Sequence, residues 1–366
     1  MFYDEYYDSV FNGDNEGLYQ ALSNGHSANV ILTQRTLHSS ARYQCGCEKT
    51  TPLLIAVSCG YVQNLRTLLD CGALVNLLPC PCHDTALHLA CMSNYNSSVC
   101  LEILLSHGAI VNVPNAIGLT PLHIAVQLSK YELVHLLLNT GADANSRTQL
   151  NETPLILAAS YPLNLPIIQL LLEHKIDVNA SDQFHNTSLQ LATKQVCLEA
   201  INILLQHGAD PNIIDIYHQS PLFSVAKIQK EELPLVPALC LQTLLNHGAN
   251  IKQICLKQNI LQAVAKTCPY NILSIIMIIS SYDYVDNALK TLLPLFPREL
   301  QYRHTEFSRN LHYLSCNPRS LRHLCRCVIR FNLKHYCHNK IHQLPLPDKL
   351  IAYLLLKPEV CQELYL

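Results

Sequence analysis

One motif returns at a nearly fixed step, and that step constrains the fold more than any other feature of the chain. Lines of one type begin at Thr51 (TPLLIA), Thr85 (TALHLA), Thr120 (TPLHIA), Thr153 (TPLILA), Thr187 (TSLQLA) and Ser220 (SPLFSV), 33 to 35 residues apart. A second line closes each unit: LLDCGALVN from Leu68, LLSHGAIVN from Leu104, LLNTGADAN from Leu137, LLEHKIDVN from Leu171, LLQHGADPN from Leu204 and LLNHGANIK from Leu244. Two independent motifs keeping one period call for stacked copies of one supersecondary unit, each burying its neighbour's apolar face.

Each motif position has a mechanical reason. Threonine caps a helix and proline takes its first position, where a missing N–H costs nothing. The Leu and Ala two and five residues after the threonine point inward, and the small alanine lets adjacent helices approach. The paired leucines near the end of the second helix bury against the next unit, and glycine supplies the left-handed residue that ends that helix. His107, His174, His207 and His247 recur in this last turn. Their repetition assigns them to the scaffold, as partly charged imidazoles complementing a helix C-terminus, rather than to metal chemistry.

This period and these motifs resemble the ankyrin repeat. The resemblance implies an all-α ankyrin-repeat solenoid of about six to seven repeats, with short β-hairpin fingers. Residues 1–29 read as a degenerate capping repeat without the Thr-Pro start. Residues 30–50 form a polar insertion loop, 51–290 the repeat array, with a charged, Pro-containing loop at 227–237, and 291–317 a helical linker. Three residues before the start motifs, near the expected finger tips, stand Ile117, Leu150, Phe184 and Tyr217. Matched repeat positions line up, so these four are expected to form an exposed apolar and aromatic ladder that binds a target protein. The alternative is that they pack only on neighbouring fingers. The two insertions are rival contact sites.

The C-terminal region departs from the repeat. Asn317-Pro318 starts a helix, with apolar residues at 321, 324, 325, 328 and 329 on one face and Arg322, Arg326 and Arg330 on the other. Leu344-Pro345-Leu346-Pro347 is extended, because two prolines remove donors and restrict their predecessors. Helix spacing returns from Asp348, with Leu350, Tyr353 and Leu354 on one side. Such a piece is too small for a core of its own and must pack on a neighbour or a partner.

Ser320-Leu321, then Cys325 and Ile329, each after three residues, resembles the Elongin-binding box of the SOCS-box family. Ile341, Leu344-Pro345-Leu346-Pro347, Leu350 and Tyr353-Leu354 resembles that family's cullin box. Both in order mark residues 318–357 as a three-helix SOCS box, with the boxes at 320–330 and 341–354. The whole chain resembles the ankyrin repeat and SOCS box proteins. That implies a non-catalytic substrate-recognition subunit of an Elongin-B/C–cullin-5-type RING ubiquitin ligase, with an unknown protein substrate. Leu321, Cys325 and Ile329 would bind Elongin-C, and Leu344, Pro345, Leu346 and Pro347 the cullin. The rival reading is an ankyrin scaffold with no ligase link.

Composition narrows the remaining classes. A net charge of -2 with 14% charged residues makes no electrostatic case for nucleic acid. No apolar run reaches the roughly 18 residues needed to span a bilayer, and the acidic N-terminus lacks a secretory h-region. The expectation is a cytoplasmic protein, with the nucleus also open to it, whose 17 cysteines are reduced thiols, many serving as small buried apolar residues. Cys45, Cys47, Cys80 and Cys82 precede adjacent start motifs, and His83 follows Cys82. They offer enough ligands for tetrahedral zinc, although Cys-x-Cys is not the usual Cys-x-x-Cys knuckle. No cofactor is expected. No Gly-rich phosphate loop, HExxH or GxSxG appears, and no catalytic residue is assigned.

Overall fold

The computed structural model describes residues 2–33, 49–226, 235–250 and 341–355. It divides into two compact units, Met1–Ala158 with Leu163–Asp177, and Ala159–Pro162 with everything from Val178 onward.

In the first unit, helix pairs repeat: α1 (Phe2–Asn12) with α2 (Asn15–Ser23), α3 (Pro52–Cys59) with α4 (Val62–Asp70), α5 (Ala86–Met92) with α6 (Ser97–Ser106), and α7 (Pro121–Gln127) with α8 (Tyr131–Asn139). The next repeat supplies α9 (Pro154–Ala159) and α10 (Leu165–Leu172). Inner helices α1, α3, α5 and α7 pack in sequence; outer helices α2, α4, α6, α8 and α10 form a second row. The second unit pairs α11 (Ser188–Gln195) with α12 (Leu198–Gln206) and α13 (Pro221–Ala226) with α14 (Leu235–Asn246), and also holds α15 (Asp348–Leu354).

The inner helices are short and start where the motif begins. The hydroxyls of Thr51, Thr85, Thr153, Thr187 and Ser220 each accept the amide three residues on. In α3, Leu53 through Val57 are all buried, the pattern of a helix covered on every side. Ala56, Ala90 and Ala125 are fully buried where α3, α5 and α7 approach. The capping helix pair begins at Phe2, and Tyr6, Val10 and Leu18 bury inward.

Turns after the outer helices use left-handed glycines at 72, 108, 141, 208 and 248. Lys175 replaces glycine in LLEHKIDVN, and that turn closes differently, with Ile176 N–H on the His174 carbonyl at 2.8 Å. His107, His207 and His247 place Nδ1 2.8–2.9 Å from the carbonyl four residues back. Their bonds to the helix backbone fit a scaffold role, and burial lowers the His247 pKa, which disfavours its charged form.

The asparagine ending five of the six closing lines ties one repeat to the next. Asn76 Nδ2 donates to the Gly108 carbonyl (3.0 Å), and its Oδ1 accepts Ile110 N–H (3.0 Å). Asn29, Asn112 and Asn145 repeat this pair of bonds in the first unit, and Asn179 and Asn212 in the second. That Asn29 joins the series puts the N-terminal helix pair in register with the repeats.

The sole sheet among the described residues pairs β1 (Leu32–Thr33) with β2 (Lys49–Thr50), antiparallel, at the two ends of the insertion. The expected hairpin fingers are otherwise tight turns with one isolated bridge, Ser181 to Thr187. Their arms are closed by a single backbone bond, too few for ladders.

Candidate interaction surfaces

Each finger is a five-residue turn ending just before a start motif. Residue five before the start accepts a bond from the amide two before it: Asn151 to Thr148, His185 to Asp182 and His218 to Asp215, at 2.8–3.0 Å. The donor residue is left-handed: His83, Gly118, Asn151, His185 and His218. The first residue's side chain then holds the tip. Asn115 Oδ1 accepts Ile117 and Leu119 N–H, and Thr148 Oγ1 accepts Leu150 and Glu152 N–H. Asp182 Oδ1 accepts Phe184 and Asn186 N–H, and Asp215 Oδ1 accepts Tyr217 and Gln219 N–H.

This geometry pushes the next side chain outward. Ile117, Leu150, Phe184 and Tyr217 are 60%, 46%, 46% and 62% exposed. The first unit brings Ile117 beside Leu150, through Gln149 N–H on the Ile117 carbonyl at 3.4 Å. The second brings Phe184 beside Tyr217, through Ile216 N–H on the Phe184 carbonyl at 3.1 Å. Neighbouring fingers are thus held by backbone bonds, and the apolar side chains stay available.

Sequence reasoning missed what anchors the finger bases. His88 Nδ1 accepts Thr85 N–H (3.0 Å), and Nε2 donates to the Leu119 carbonyl of the next finger (2.9 Å). His123 Nδ1 accepts Thr120 N–H (3.1 Å), and Nε2 reaches the Ser146 and Glu152 carbonyls (3.2 and 3.3 Å). Gln190 does the same with an amide: Oε1 accepts Thr187 N–H, and Nε2 donates to the Ile213 and Gln219 carbonyls. Burial lowers the pKa of both histidines, to about 4 at His123, against an opposing pull from the accepting carbonyls. Both are neutral near pH 7, the one tautomer that accepts at Nδ1 and donates at Nε2. The signal was present in the sequence, as a polar residue three after each of these threonines.

The cysteines divide. Cys91 and Cys100 are buried, and desolvation pushes their thiols up to about 12 and about 11. They behave as the small apolar residues expected. Cys80 and Cys82 do not: they are joined as a disulfide. The six other described cysteines, Cys59, Cys71, Cys91, Cys100, Cys197 and Cys240, are thiols. Cys45 and Cys47 lie outside the described residues, which contain no cluster of three or more metal-binding side chains.

At the C-terminal motif the four predicted cullin contacts part into two classes. Leu344 and Leu346 are partly buried and pack against Ile341, Leu354 and Leu355; Ile351 joins them. Pro345 and Pro347 are exposed. Leu350 is also exposed and does not share the inward face of Leu354, contrary to the expected grouping. Gln242 Nε2 and Asn246 Nδ2 of α14 both donate to the Leu355 carbonyl, at 3.1 and 2.7 Å, satisfying a group that the end of α15 leaves without a helical partner. The Elongin-contact residues Leu321, Cys325 and Ile329, and the linker 291–317, lie outside the described residues.

Two family models match the chain: ankyrin repeats, in overlapping stretches 74–148 and 130–215, and the SOCS box at 317–355. Human ankyrin repeat and SOCS box protein 18 is 30% identical, over 85% of this chain and 74% of its own length. Mouse ankyrin repeat and SOCS box protein 16 is 25% identical, over 96% of this chain and 86% of its own. An ankyrin repeat protein of fowlpox virus (strain NVSL) is 38% identical, over 38% of this chain and 41% of its own.

Proposed function

Because the chain belongs to the ankyrin repeat and SOCS box family, we propose that it is the substrate-recognition subunit of an Elongin-B/C–cullin-5 RING ubiquitin ligase in the cytoplasm and nucleus. It performs no transfer chemistry itself; it brings a target to the ligase. The observation that carries this reading is the SOCS-box match at 317–355, whose second half presents Pro345 and Pro347 to solvent on a buried leucine and isoleucine base. The array alone does not separate a ligase subunit from a scaffold, since the viral relative covers only part of the chain.

Leu321 is the main Elongin-C anchor, with Cys325 and Ile329 beside it. A buried leucine side chain is worth about 1.5–3 kcal/mol, so Leu321→Ala weakens association at least several-fold. Pro345 and Pro347 face the cullin. Target proteins dock on the finger edge, at Ile117 and Leu150 in one unit and at Phe184 and Tyr217 in the other, where large apolar side chains stand exposed on hydrogen-bonded turns. The test is affinity purification from cells, comparing the native chain with Leu321→Ala/Cys325→Ala. The native chain recovers Elongin-B, Elongin-C and cullin-5, and the double variant loses all three. Equal recovery from both, or Elongin from neither, leaves a scaffold without a ligase.

A further inference from the structure

We propose that Cys80 and Cys82 form a reversible thiol–disulfide modification site that locks the 80–84 finger. In four other fingers a side-chain oxygen from Asn115, Thr148, Asp182 or Asp215 holds the amide two residues on. The 80–84 finger has the same turn, with His83 N–H on the Cys80 carbonyl at 3.1 Å and His83 left-handed at φ 57°. Cysteine replaces the oxygen-bearing residue, and a second cysteine replaces the residue whose amide it would hold. The disulfide therefore joins the same two positions that a hydrogen bond joins elsewhere. The turn sets the two Cα atoms 5.4 Å apart, within the span of a disulfide. Cys80 is buried and Cys82 partly exposed, at the point of the turn where Ile117 and Leu150 emerge.

The chemistry balances with a peroxide. The Cys82 thiolate attacks one oxygen of hydrogen peroxide, forming a sulfenic acid and releasing hydroxide, which takes up the thiol's proton as water. Cys80 sulfur then attacks the sulfenic sulfur, and a second water leaves as the S–S bond forms. A dithiol reverses the reaction through a mixed disulfide, returning two electrons and two protons. The closed loop is very short, so the lock constrains the finger more than the unfolded chain.

The lock reaches the neighbouring finger. Ala116 N–H donates to the Cys82 carbonyl (2.8 Å) and Asn115 Nδ2 to Asp84 Oδ1 (2.9 Å), next to the exposed Ile117. Oxidation thereby sets the rigidity of one end of the finger edge; that this edge binds targets rests on the function proposed above, whereas the lock does not.

The experiment compares the full chain treated with hydrogen peroxide and with dithiothreitol. Differential alkylation and peptide mass mapping follow Cys80 and Cys82, and amide exchange follows residues 80–85 and 115–119. Oxidation protects both thiols reversibly and slows exchange of these amides by about tenfold, while the melting temperature changes little. Cys82→Ser abolishes the response. Cys80→Asp restores the hydrogen-bonded form seen at Asp182 and Asp215, with slow exchange in either condition. Three results overturn the proposal: both thiols stay alkylatable after peroxide, Cys82 pairs with another cysteine, or the bond forms with exchange unchanged. Recovery of Elongin and cullin-5 is the same in all these samples, so failure here is distinct from failure of the ligase reading.

Discussion

His123 offers a sharp test of how the fingers are held, because the chain contains its own control. Its ring is fully buried and links Thr120 N–H to the Ser146 and Glu152 carbonyls. Alanine would leave a cavity and strand the buried Thr120 amide, together costing about 2–4 kcal/mol. For a unit of this size that lowers Tm by roughly 5–15 °C. Glutamine reproduces both bonds, as Gln190 does at Thr187, and should cost under about 1 kcal/mol. The imidazole adds a pH signature that the amide lacks. The folded-state pKa is lowered to about 4 from 6.5, so the unfolded chain binds the proton first. Stability is complete above the unfolded value and falls as pH drops from 6.5 towards 4; by pH 5.5 the loss is about 1 kcal/mol. Thermal melts of native, His123→Gln and His123→Ala protein at pH 7.4 and 5.5 measure all of this. The reasoning fails if glutamine destabilises as much as alanine, or if the glutamine variant is as acid-sensitive as the native chain.

Three further outcomes follow from single contacts. Pro345→Ala/Pro347→Ala leaves thermal stability and Elongin recovery unchanged and reduces cullin recovery, whereas Leu344→Ala/Leu346→Ala destabilises the C-terminal module by about 1–3 kcal/mol; pull-downs beside thermal melts separate the two. Asn76→Ala removes two exposed bonds between repeats and costs about 1 kcal/mol, while Asn76→Asp keeps the acceptor and costs roughly half that; urea midpoints rank them. Gly118→Ala places a Cβ 2.6 Å from the Gln149 nitrogen at φ +81°, costing at least about 1–2 kcal/mol and displacing the Leu150 finger, which amide exchange at 148–152 detects.

The repeat was legible because its apolar and capping positions act within one unit. Threonine, proline, leucine and alanine each do a job that local spacing reveals. The polar residues of the same lines recur visibly, but their role was not legible, because their partners lie in the following repeat. Asn76 binds Gly108 and Ile110, and His88 binds Leu119. No periodicity states which backbone group a side chain will meet some thirty residues away. Gln190 hides the pattern further, since only the fold shows that an amide and a neutral imidazole present an acceptor and a donor at the same reach. The closeness of Cys80 and Cys82 was obscured for a similar reason: composition treats cysteines as a population, while the finger turn brings these two together.

Leu-Pro-Leu-Pro was read as one surface, and it is two. The leucines go inward and the prolines outward. The backbone deepens the division. The amides that exist in this segment are used internally, with Leu344 N–H on the Ile341 carbonyl and Leu346 N–H on the Leu344 carbonyl. The outward positions have no N–H at all and a fixed φ. A partner that covers Pro345 and Pro347 therefore strands no backbone donor and orders few new torsions, the two main costs of docking on an extended chain. Alanine at those positions would restore both costs without touching the leucine base, which is why the prolines, and not the leucines beside them, carry the cullin contact proposed here.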